Sequence, residues 1–196
     1  MKNSNRIGLG LKFGAMTVAA FALGAGLGMG EARASPSTSH GAADDAQIVQ
    51  YVLDLDRAEV QAAEAIMGKL PDDVPLWRLA LRTRVDHSIL DRKFRSLQIS
   101  PQESQLSRQL TADSDENIAR LRGLSGNDLE KAYLESQISF HKSVVEALDR
   151  ELLPSAKNDA LKERLWELRL ETAKHLDEAE YIQTVNSERA KIDKQG

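Results

Sequence analysis

Between residues 45 and 185 the apolar residues recur at alternating spacings of four and three, the period that keeps one face of an α-helix turned inward. Ile48, Val52, Leu55, Ala62 and Ile66 form the first stripe. It predicts a helix from about residue 45 to Lys69, capped by Asp44 or Asp45 and broken by Pro71-Asp72-Asp73. Pro75 suits the first turn of a second helix, with Leu76, Ala80, Thr83, Leu90, Phe94 and Leu97 inward and Ser100-Pro101 at its end. Across 102–125 the period is legible only from Asp113 to Leu124. That predicts a short helix with Ile118, Leu121 and Leu124 inward, ended by Gly123 or Gly126. Asn127 or Asp128 then caps a long helix carrying Leu134, Ile138, Val145, Leu148 and Leu152, which Pro154 stops. The last long helix starts near Asn158 with Leu161, Leu165, Leu168, Thr172, Ala179 and Ile182 inward, and the chain beyond Val185 is polar and predicted to fray. No strand-like alternation of useful length occurs. The pattern is that of an all-α protein: four long helices in an antiparallel bundle over 45–185, with a short extra helix between the second and third, and a polar tail over 186–196.

Four positions on these stripes hold a polar group where a leucine is expected. They are Glu59, His87, His141 and His175, one on each long helix. Helix cores rarely hold such groups unless they are paired or bound to something. The chain has only 4 histidines, and the three outside the N-terminal leader all fall on core stripes. One carboxylate and three imidazoles, without sulfur, are a ligand set for one divalent transition metal, Zn, Mn, Fe or Cu, and nothing points to an organic cofactor.

Helices joined by a tight turn run antiparallel, so residues equally distant from the turn lie at similar heights. Taking the first turn at residue 72, Glu59 is 13 residues before it and His87 is 15 after, a mismatch of about 3 Å in helical rise. Taking the later turn at residue 156, His141 is 15 before and His175 is 19 after, a mismatch of about 6 Å. A ligating histidine usually gives its other N–H to a carboxylate or carbonyl. Helical spacing nominates Asp91 for His87, Gln137 for His141, and Glu171 and Glu178 for His175. Glu178 is also within range to serve as a further ligand.

The N-terminus has the form of a secretory signal. Lys2, Arg6 and Lys12 supply a positive region, Phe13 to Met29 is apolar and free of charge, and Ala32-Arg33-Ala34 is a small-residue cleavage site. Cleavage after Ala34 would leave a flexible leader over 35–44, which contains His40, and would place the protein in the periplasm or outside the cell. No twin-Arg pair precedes the apolar run, which implies export unfolded with any metal acquired afterwards. Removing residues 1–34 lowers Lys+Arg from 26 to 22 and Asp+Glu from 30 to 29, a formal charge of −7. An acidic domain of this kind is a poor nucleic-acid binder and needs no stable membrane insertion once the signal is gone. With no cysteine, lipoprotein processing, disulfides, thiolate ligands and thiol catalysis are all excluded. No Ser/His/Asp arrangement or Gly-rich phosphate loop is evident, and Trp77 and Trp166 read as core or boundary residues.

Ala58-Glu59-Val60, Val85-Asp86-His87, the stretch from Leu121 to Gly126, Tyr133-Leu134, Gln137 leading to His141, and His175-Leu176 with Ala179 together resemble the domain of unknown function family 4142. The resemblance covers about Asp44 to Ile182. It implies a signal peptide followed by a bundle of the ferritin-like superfamily. Leu129 departs from it, standing where that family often has an aromatic residue. The superfamily implies a carboxylate di-metal site, which needs two Glu-x-x-His pairs. Here the residues three before His87, His141 and His175 are Arg84, Ile138 and Thr172, so di-iron chemistry is not carried over. Two functional readings follow. One is an exported bundle that binds one metal ion through Glu59, His87, His141 and His175. The other is a metal-free envelope or stress-related interaction or structural module, its buried His–Glu hydrogen-bond network fixing packing register. The residues name no partner protein.

Overall fold

Asp44 opens the first helix through a reciprocal cap: its carboxylate accepts from the Gln47 N–H at 2.9 Å while the Gln47 side chain accepts from the Asp44 N–H at 3.2 Å. In the computed structural model, which describes residues 43–70 and 74–192, this helix is α1, Asp45–Met67. Residues 1–42, which include the expected signal and most of the expected leader, and residues 71–73 and 193–196 lie outside the described residues. The described residues belong to the second of two units of the chain, Ser39–Gly196. They are helices and connections, with no strand among them.

Helix α2, Pro75–Arg95, has its proline in the first turn and Arg92, Lys93 and Arg95 in the last, where cations complement the exposed carbonyls. Helix α3 spans Gln105–Gly123 and is longer than its apolar period predicts. Ser104 and Ser107 cap each other's backbone N–H groups at 3.1 and 2.9 Å, starting the helix two turns before Asp113. Ser114 takes the inward position between Leu110 and Ile118, which hides the helix from a hydrophobic pattern. Helix α4, Gly126–Ala147, starts at Gly126 itself, whose φ of 54° lies in the left-handed region that favours glycine. Asn127 and Asp128 therefore lie inside α4 and do not cap it. Pro154 does not stop the helical path either. A π-helical turn, Leu148–Leu152, leads into the single-turn helix α5, Leu153–Ser155, whose first turn accepts the proline. Helix α6 runs from Asp159 to Ile192 and stays helical past Val185, although residues 186–192 are all exposed.

The core is two apolar clusters separated by a polar layer. The first joins Ile48, Val52 and Leu55 of α1, Leu90 and Phe94 of α2, Val144 of α4, and Leu161, Leu165 and Leu168 of α6. The second joins Ala62, Ala63 and Ile66 of α1, Leu76 and Leu79 of α2, Leu129 and Tyr133 of α4, and Ala179 and Ile182 of α6. Each of these four helices thus contributes one half to each cluster and crosses the intervening layer once. Helix α1 is the central element, buried on most of its circumference. Leu129 is fully buried in the second cluster, so the core is closed at that position. Trp77 packs against the second cluster, whereas Trp166 is exposed and lies beneath the Arg169 guanidinium, 5.8 Å from its ring centroid. No helix among the described residues is long and apolar enough to cross a membrane.

Candidate metal centre

Each of the four crossing helices delivers one of the sequence-nominated residues to the polar layer. Glu59 comes from α1, His87 from α2, His141 from α4 and His175 from α6, and none is more than 3% exposed. The three imidazoles converge, with ring centroids 5.5 Å apart for His87–His175 and His141–His175 and 6.3 Å for His87–His141. One ligand nitrogen from each lies within 4.8 Å of the other two. Glu59 approaches them through Oε2, 3.7 Å from His141 Nε2, too far for a hydrogen bond.

The hydrogen bonds around the layer leave one lone pair free on each ring. His87 Nδ1 meets Asp56 Oδ1 at 2.8 Å, His141 Nδ1 meets the Gln137 carbonyl at 2.8 Å, and His175 Nε2 meets Asp86 Oδ2 at 3.0 Å. A carbonyl can only accept, so the His141 proton sits on Nδ1. When ionised, Asp56 and Asp86 set the other two rings in the same way, Nδ1–H on His87 and Nε2–H on His175. The nitrogens without a partner are then His87 Nε2, His141 Nε2 and His175 Nδ1, joined by Glu59 Oε2. These are the atoms a metal ion would need, each oriented by a bond on its far side.

Burial sets the charges. It pulls the His141 pKa down to about 3, aided by His87 and His175, and it is also the main cause of the lowered values of His87 and His175. All three rings are therefore neutral near pH 7, the form that ligates. Burial likewise pushes Asp56 well above the carboxylate range, with the Asp91 charge adding to it, and it raises Glu59 against the lowering effect of His87. Two buried carboxylates among neutral imidazoles concentrate negative charge in the layer as they ionise. When both ionise, one dication balances them.

The supporting residues differ from those that helical spacing nominates. Gln137 is in place twice over: its carbonyl accepts from His141, and its Nε2 donates to Glu59 Oε1 at 3.4 Å. Asp91 instead accepts from Arg95 at 2.8 and 2.9 Å. Glu171 pairs with Lys174 at 2.9 Å and Glu178 with Arg82 of α2 at 2.8 Å, so neither reaches His175. These three are partly exposed, and a charged partner in water is available one turn away or across the groove. The carboxylates that do orient histidines are Asp56 and Asp86, reaching from α1 to α2 and from α2 to α6 respectively. Asp56 had a signal in the sequence. It interrupts a second apolar row on α1, Val49, Leu53, Val60, Ala63 and Met67, and it lies 16 residues before residue 72 where His87 lies 15 after. Asp86 has no comparable signal beyond adjacency to His87.

An all-helical protein with three histidines converging at a buried level, and a buried glutamate beside one of them, is the class this fold defines. The chain belongs to the domain of unknown function family DUF4142, which it matches over residues 30–182, more than half its length. No curated protein and no solved structure matches it.

Proposed function

We propose that this protein is an exported, antiparallel ferritin-like four-helix bundle whose core binds one divalent transition-metal ion through Glu59 Oε2, His87 Nε2, His141 Nε2 and His175 Nδ1. The observation that carries the reading is that these four buried atoms lack partners while the opposite nitrogen of every ring is hydrogen-bonded. Leaving them unmet costs roughly 1–3 kcal/mol each, which coordination would offset together. The two-cluster core supports the antiparallel arrangement: the start of α1 and the end of α2 share one cluster, as do the end of α4 and the start of α6. Zn, Mn, Fe and Cu all suit a mixed nitrogen and oxygen set. Nitrogens bound to one such ion at about 2.0–2.1 Å stand roughly 3.3 Å apart, so the rings draw in by up to about 1.5 Å on binding. Export rests on the positive, apolar and small-residue segments of the first 34 residues.

The metal-free alternative needs a closed His–Glu hydrogen-bond network, and the 3.7 Å separation of His141 from Glu59 argues against it. Calorimetric titration with Zn(II) and Mn(II) separates the two readings. Binding of one ion per chain, abolished in His141→Ala, is expected. No heat of binding from either metal, with the helical spectrum intact, would count for the metal-free module.

A further inference from the structure

One ion accounts for four of the nine buried side-chain atoms that have no hydrogen-bond partner among the described residues. Three of the other five are Thr83 Oγ1, the Tyr133 hydroxyl and Gln137 Oε1. All three residues are at most 1% exposed. They also lie on the same side of the histidines. Thr83 precedes His87 by one turn of α2, Gln137 precedes His141 by one turn of α4, and Tyr133 precedes Gln137 by one more. In both helices that direction leads to the second apolar cluster, of which Tyr133 is a member. Gln137 ties this group to the ligands, since its Nε2 donates to Glu59 Oε1. Two hydroxyls with no polar neighbour beyond each other, and an amide oxygen without a partner, buried beside a ligand carboxylate, are the fittings for a small polar molecule.

We propose that the metal keeps a further, exchangeable coordination position facing Tyr133, Thr83 and Gln137, which takes a water-sized oxygen or nitrogen donor: water, hydroxide or a small anion such as azide. This rests on the metal-binding reading above. The chemistry of the three groups fits. A bound water gives one O–H to Gln137 Oε1 and accepts from a hydroxyl, and a bound anion accepts from both Tyr133 and Thr83. The Tyr133 hydroxyl is an O–H donor, and the Thr83 hydroxyl lies close enough to act on it. Size selection follows from the packing. Leu79, Ala80, Leu134 and Ile138 belong with Tyr133 to the close-packed second cluster, and a ligand of more than a few atoms would have to displace part of it. The position makes this a centre at which a small molecule can reach the metal, distinct from a closed structural ion.

The test is an azide titration of the full chain loaded with Co(II), followed by visible absorption. Saturable change of the Co(II) bands in wild type is expected. Tyr133→Phe should weaken azide binding about tenfold or more, because a hydrogen bond to a charged ligand is lost, while Co(II) affinity stays within a few-fold. Thr83→Val gives the same comparison should Tyr133→Phe not fold. Co(II) bands indifferent to azide would overturn this inference and leave the metal site standing. Azide binding that neither substitution alters would overturn it as well, because the position would then lie elsewhere. Failure of the wild-type chain to bind Co(II) would remove the reading beneath it.

Discussion

His141 gains nothing from burial as an isolated imidazole. Its Nε2 has no partner, its protonation is suppressed to a pKa of about 3, and two further imidazoles stand within 6.3 Å. Replacing it with leucine is therefore expected to stabilise the metal-free fold by on the order of 1 kcal/mol, since an unmet polar group is exchanged for an apolar one of similar size, while metal binding is lost. Urea denaturation with and without chelator checks both halves. Asp56→Asn should leave the helical content unchanged and weaken metal affinity about 10- to 100-fold, because Asp56 orients the His87 ring; a competition titration measures it. The histidine pKa values are lowered by folding, so their contribution to stability is present above the ordinary value of 6.5 and is lost as pH falls below it. With Asp56 and Glu59 replaced by Asn and Gln, so that only the histidines titrate, chelated protein should accordingly melt earlier at pH 5.5 than at pH 7. The raised carboxylates act in the opposite sense, with stability present below their ordinary values of 3.8 and 4.5 and lost as pH rises past them, a cost that a bound cation removes. Glu59 and the three histidines were legible because each replaces an apolar residue in a regular row. Asp91, Glu171 and Glu178 were misread because same-helix spacing cannot distinguish a carboxylate facing the core from one facing solvent. Asp56 and Asp86 act across helices, beyond the reach of local spacing.

Helix ends hold the register that brings the four crossing helices to one level. Asp45 belongs to the first turn of α1, yet its carboxylate accepts from the Lys157 and Asn158 N–H groups at 2.7 and 3.0 Å, tying α1 to the start of α6. Asn158 adds the cap on Leu161 N–H at 3.0 Å. Asp45→Ala should cost about 1–2 kcal/mol in denaturant unfolding and leave metal stoichiometry unchanged. Lys69 has a similar role, with Nζ donating to the carbonyls of Leu121, Arg122 and Leu124 at 3.3, 2.6 and 2.9 Å and closing the end of α3. The same scale explains a discrepancy in the turn arithmetic. The helical path continues through Pro154 to Ser155, so the turn before α6 centres on Lys157. His141 then lies 16 residues before it and His175 18 after, and the mismatch falls to about 3 Å. A proline reads as a stop in sequence, but a π-helical turn ahead of it changes where the helix ends. The start of α3 was hidden for a different reason: Ser104, Ser107 and Ser114 do the capping and inward-facing work that apolar residues usually mark.

Two apolar clusters with a polar layer between them make the bundle sensitive to what occupies that layer. The apolar period defines the helices and the four residues of the layer, whereas the order in which α1, α2, α4 and α6 meet depends on contacts between distant segments. Binding an ion at a hundred times its dissociation constant stabilises the fold by about 2.7 kcal/mol, which for a domain of this size corresponds to roughly 5–10 °C in melting temperature. Chelator should therefore lower the melting temperature of the metal-loaded protein by that amount and leave a His141→Leu variant unaffected. The most direct measurement is elemental analysis of the full chain purified from its host, beside His87→Ala, His141→Ala and His175→Ala variants. About one equivalent of a single transition metal per chain, lost in each variant, is the expected result. Metal well below one equivalent in the wild type, unchanged by the three substitutions, would contradict the account.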